Sequence, residues 1–70
     1  MIDWSLMMCK FQAKRIPTRF IQQKTGIDWQ AQGRLRRGET KEPKFNAGVI
    51  LLDIYYDIFG EDELKKLKIK

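Results

Sequence analysis

Residues 16–38 read IPTRFIQQKTGIDWQAQGRLRRG, and the punctuation of this stretch decides the fold. Pro17 lacks a backbone donor and pushes Ile16 toward extended angles, yet proline is tolerated in the first turn of a new helix. A short helix is therefore expected from Pro17 or Thr18 to Lys24, with Phe20 and Ile21 turned inward. Gly26 stands where that helix needs a residue that accepts positive φ at its C-terminal end. Asp28 follows as an N-cap, its carboxylate placed to accept from the free amides of the next turn. A further helix should then span roughly Asp28 to Arg37 and stop at Gly38. Ile16, Ile21, Ile27 and Leu35 supply an apolar frame that would hold the two helices to a common core.

Working outward, residues 2–15 carry apolar side chains at Ile2, Leu6, Cys9 and Ala13, with a second stripe at Trp4, Met7, Met8 and Phe11. That is helical spacing with a broad buried face, and Met7, Met8 and Cys9 read as core. Beyond the loop ETKEP, the stretch KFNAGVILLDIYYDIFG admits two readings. As a strand, Leu52, Ile54, Tyr56 and Ile58 alternate with Asp53, Tyr55 and Asp57. As a helix, Phe45, Val49, Leu52, Tyr56 and Phe59 follow four-three spacing, Asn46 caps and Gly60 terminates. The helix is favoured, because the stretch is long for a strand and both ends carry helix signals. Such a helix is apolar nearly all round, so it must be central or covered by a partner. A last helix from Glu61 to Lys68 opens with acids and closes with lysines, as the helix dipole favours. The expectation is an all-α domain of five helices. No internal repeat or linker divides it, and residues 1–70 read as a single domain.

Seventy residues suffice for one small core of marginal stability. The single cysteine cannot form an internal disulfide, so a reducing cytoplasm suits the chain. No signal peptide opens it, and no apolar run approaches a membrane span. There is no histidine, one serine, and no phosphate-cradling glycine loop or nitrogen and sulfur metal set. Neither an enzyme, a metal or cofactor protein, nor a binder of a small-molecule substrate is expected. The net charge of +5 is unevenly spread. Between Lys10 and Lys44 ten Lys or Arg face three acids, a net +7, whereas Phe45 to Leu64 holds five acids and no base. Basic residues gathered in one region are the footprint of a polyanion binder, because neutralising phosphates releases condensed counterions.

Two short helices about a glycine-containing turn, the second ending in arginines, form a helix-turn-helix arrangement, in which the second helix enters the major groove of DNA. Gln and Arg suit bidentate readout of adenine and guanine, which selects Gln30 and Arg34 for base contacts. Arg19 and Arg37 are candidates for phosphate. Residues 16–52 resemble the lambdoid phage repressor and Cro type of DNA-binding domain. The likeness is closest at GETKEPKF (38–45), which looks like the G-x-T-K-x-P-[RK]-F segment that follows the recognition helix in some members. The resemblance implies a compact lambda-repressor-like domain in which Thr18, Lys41 and Lys44 face phosphates, while Trp29, Gln30, Gly33 and Arg34 face bases. Departures are clear. Gln22 stands where the family has a small Ala and Gln32 where it has Val or Ile. These two glutamines are expected either to pair with each other or to shift the helix packing. Phe11 and Arg36 replace an Arg–Glu pair, and the segment after Pro43 is about one helical turn longer. Trp29 has two readings, one touching a thymine methyl and one buried in the core or at an interface.

The implied function is sequence-specific binding of double-stranded DNA by a small regulator of the repressor type, working as a homodimer on a palindromic site. Tyr55, Ile58, Phe59 and Leu64 are the expected dimer surface. The rival reading is a protein-interaction module, antitoxin-like or a phage-encoded inhibitor, built on the same scaffold.

Overall fold

The structure, a computed structural model, describes residues 2–67, and every regular element among them is a helix. The order is α1 (Trp4–Ala13), α2 (Thr18–Thr25), α3 (Trp29–Arg36), α4 (Phe45–Phe59) and α5 (Glu61–Lys65). The ambiguous fourth segment is a helix, ended by Gly60 at φ 90°. Its N-cap position is held by Lys44 rather than Asn46, which lies inside the helix. The expected extension of α5 to Lys68 lies outside the described residues. No helix among the described residues is long and apolar enough to cross a membrane.

Met7, Met8, Phe11, Ile21, Leu35, Leu51, Tyr55 and Leu67 form the core, so every helix from α1 to α4 contributes. Phe11 and Tyr55 meet edge to face with centroids 5.7 Å apart, and Phe59 stacks on Tyr55 at 4.5 Å. Ile16 and Ile27 pack against this cluster, and with Ile21 and Leu35 they make the frame that the spacing suggested. On α1 the inner stripe is Met7, Met8 and Phe11, while Cys9 and Ala13 face outward. Cys9 is therefore exposed and not core. Phe20 is only partly covered and holds Lys24 Nζ 5.7 Å from its ring centroid.

α4 turns in a direction that its spacing did not give. Its buried face is Ala47, Gly48, Leu51 and Tyr55, whereas Phe45, Val49 and Tyr56 are 82%, 50% and 50% exposed. Three members of the four-three stripe, Phe45, Val49 and Tyr56, are thus on the outer face, while Leu52 and Phe59 are half-buried against the core. The surface patch expected at Tyr55, Ile58, Phe59 and Leu64 correspondingly lies inward: Tyr55 is fully enclosed and the other three pack half-buried against the core. Ringed by core side chains, Tyr55 offers a dimer partner nothing to touch.

Three ties set the helices that carry the candidate site. Ser5 Oγ donates to the Arg36 carbonyl, fastening the last turn of α3 to α1. Lys10 Nζ meets Glu63 Oε2 at 2.7 Å, fastening α5 to α1. The Asp3 amide donates to the Leu67 carbonyl at 2.7 Å and joins the two ends of the chain. α2 packs on both α3 and α4, while α3 packs chiefly on α1, so α2 links the α3 side of the domain to the long helix.

Candidate nucleic-acid interface

The turn between α2 and α3 is built by local chemistry. Gly26 adopts φ 80° and its amide donates to the Gln22 carbonyl at 2.7 Å, closing α2 in the left-handed conformation that a Cβ disfavours. Thr25 Oγ1 donates to the Ile21 carbonyl at 2.7 Å and accepts from the Ile27 amide at 3.1 Å, carrying the chain through the corner. Asp28 Oδ1 then accepts from the Ala31 amide at 2.8 Å and opens α3 as its N-cap. At the far end Gly38, at φ 79°, donates to the Leu35 carbonyl and Glu39 to the Arg34 carbonyl, a Schellman closure.

Gln32 is 2% exposed, and its carboxamide donates to the carbonyls of Thr18 at 3.0 Å and Ile27 at 2.8 Å. One side chain on α3 therefore grips both the start of α2 and the turn. Gln22 is exposed. The two glutamines do not pair: Gln32 is buried and engaged by backbone carbonyls, while Gln22 faces solvent.

With Gln32 and Leu35 turned inward, α3 presents Trp29, Gln30, Arg34 and Arg37 to solvent. Trp29 is 66% exposed, which removes it from the core and leaves its indole free to meet a partner. Gly33 lies between these residues, buried beside the guanidinium groups of Arg37 and Arg36, and a shallow hollow forms around it, lined by Thr18, Trp29, Gln30, Gly33, Arg34, Arg36 and Arg37. All four residues expected to face bases lie in it, together with two of those expected to face phosphate. Arg36 is the member that sequence reasoning set aside; its place seven residues after Trp29, two helical turns on, was the available signal.

The remaining candidates are distributed around this hollow. Arg19 sits in an adjoining depression with Thr18, Gln22, Gln23 and Trp29, so Trp29 stands on the ridge between the two. Lys44 lies on the opposite flank of α3, in a groove shared with Thr25, Asp28, Thr40 and Arg34, which makes Arg34 the ridge on that side. Lys41 is exposed in the loop and lines none of these depressions. α2 begins at Pro17 with no side-chain cap; the Phe20 amide donates to the Pro17 carbonyl, which leaves those of Thr18 and Arg19 for an external acceptor.

Arg37 is already engaged. Its Nε donates to Glu39 Oε2, which raises the guanidinium above its ordinary range and holds the Glu39 carboxyl below its own. Both side chains are more than half exposed, so water screens the pair and it holds only weakly. A phosphate can displace Glu39 at small cost. The hollow thus combines amide and guanidinium donors with a free indole face, and no acid lines it.

No family model matches this chain, and neither a curated protein nor a solved structure does.

Proposed function

We infer that the chain binds double-stranded DNA in a sequence-specific manner, with α3 as the element that enters the major groove. The observation that carries this reading is the joint placement of Thr18, Trp29, Gln30, Gly33, Arg34 and Arg37 around one open hollow on the cationic part of the molecule. Gln30 and Arg34 have the donor and acceptor geometry for adenine and guanine edges. Gly33 would let the duplex approach the helix backbone once the flexible Arg37 guanidinium beside it moves aside. Thr18 with the uncapped start of α2, Arg19 and Lys44 flank the groove-facing residues, where the backbone phosphates of an inserted duplex would run. Arg37 and Lys41 add to that set. The lambda-repressor-like architecture and a role as a small transcriptional regulator of the repressor type, two copies acting on a palindromic operator, follow from the same reading. So does a location beside the nucleoid.

The rival is a protein-interaction module, and a specific observation supports it: the outer face of α4 is apolar. Salt separates the two. Binding to DNA through several phosphate contacts should weaken on a straight line of log K against log salt, with a slope of about −0.9 per phosphate neutralised. Five or more cations on this face place the expected slope near −4 to −5 by that rule. A slope near zero, on any duplex, contradicts the DNA reading and favours the interaction module.

A further inference from the structure

α4 carries Phe45, Val49, Leu52 and Tyr56 along one strip, and the first, second and fourth are the most exposed apolar side chains of the helix. At 3.6 residues per turn the four fall within about 60° of one another. At its N-terminal end the strip widens into a groove with Ile2, Trp4 and Pro43. The groove is open because residue 48 is glycine: a Cβ there would stand 3.2 Å from the Trp4 ring and 3.4 Å from Pro43. A contiguous apolar surface of this extent on a small chain marks a contact.

We propose that a second copy of this chain covers the strip, with the two α4 helices antiparallel, Phe45 against the partner's Tyr56 and Val49 against the partner's Leu52. The spacing is the first argument. Intervals of four, three and four residues read the same in both directions, so a reversed copy meets the original in register. A two-fold axis across the helices makes each contact twice, as an isologous interface requires.

Charge is the second argument. The chain entering α4 carries Lys41 and Lys44 against one acid, Glu42, and is net positive, whereas its second half carries Asp53 and Asp57 and leads to Glu61 and Asp62. Antiparallel pairing sets the basic end of each helix level with the acidic end of the other, and parallel pairing would set like against like. The same acids oppose an anionic lipid surface or a nucleic acid on this face.

Size sets the strength. A standard interface covers about 800 Å² per partner, a large share of a chain whose whole accessible surface is 5126 Å². One helical strip supplies less, so the dimer is weak in free solution. On the DNA-binding reading, occupancy of neighbouring half-sites supplies the effective concentration that completes it.

Register-specific cross-linking tests this without DNA, so its outcome is independent of that reading. Two chains are made in a Cys9→Ser background, one with Val49→Cys and one with Leu52→Cys; both positions lie outside the fully buried core, so the fold should persist. They are oxidised separately and as an equimolar mixture at high protein concentration. The mixed disulfide should exceed either homodimer well beyond the two-to-one ratio of random pairing. Random proportions, or no cross-link in a chain that sediments as a monomer, would overturn the proposal and leave the strip to a different protein.

Discussion

Gln32 shows how much a single residue can fix. From the sequence it was a polar side chain at a place meant for an apolar one, and leaving it unpaired would cost about 1–3 kcal/mol. Its partners are two backbone carbonyls, Thr18 and Ile27, that converge only once the turn has formed. No spacing rule could name them. Gly33, by contrast, entered through the family resemblance, which places it among the base-facing residues, and its role can be tested by filling it. A Cβ there would meet Arg37 Nη1 at 3.0 Å, the end of a flexible side chain that can move. Gly33→Ala should therefore stabilise the fold, by up to about 1 kcal/mol from helix propensity, while the added methyl blocks approach to the helix backbone and weakens DNA binding. Thermal unfolding and a binding titration on the same sample check both signs. Higher stability with unchanged affinity would remove Gly33 from the interface.

At the scale of elements, helix ends were read where glycine or a capping carboxylate marks them, as at Gly26, Asp28, Gly38 and Gly60. α1 ends without such a mark. Arg15 adopts φ 63°, its amide donating to the Gln12 carbonyl and that of Ile16 to the Phe11 carbonyl, a Schellman closure with arginine where glycine is usual. The orientation of α4 was hidden for another reason: a helix apolar nearly all round has no contrast between its faces. What picks the inner face is the fit of Leu51 and Tyr55 to Phe11, a tertiary property. α5, only five residues long, is held by Lys10 and Glu63, and this tie sets a pH dependence. The hydrogen bond from Lys10, followed by that from Lys66, holds the Glu63 carboxyl below its ordinary value of 4.5. A depressed carboxylate contributes stability above its unfolded pKa and loses it as pH falls through the folded value. Lys10, raised chiefly by its hydrogen bond to Glu63, behaves oppositely, its contribution present below 10.5 and lost as pH rises beyond it. The melting temperature should thus sag on the acid side of the carboxylate range, and Glu63→Gln should flatten part of that sag. Glu39, depressed by Arg37, supplies a second share that the variant retains. Parallel acid curves for the two proteins would show that the tie contributes nothing.

Across the described residues, the dense positive charge and the exposed apolar strip fall in separate segments. The cationic stretch from Lys10 to Lys44 carries the α2–α3 unit, and the acidic stretch carries α4 with its bare apolar strip. The separation of charge was legible from the order of residues alone; which face of α4 stays exposed was not, because it depends on which side of that helix the core takes. The account's central claim is that α3 reads bases while residues around it hold the backbone. Selection of bound duplexes from a random DNA pool, run in parallel with the unaltered chain, Arg34→Ala and Lys44→Ala, tests it most directly. The unaltered chain should enrich a motif with two half-sites related by a two-fold axis. Arg34→Ala should lose preference at one base pair of each half-site, at a cost of about 1–3 kcal/mol, while Lys44→Ala should recover the same motif with weaker binding to every sequence. Absence of any enriched motif, or equal loss across all sequences for both variants, would contradict the account.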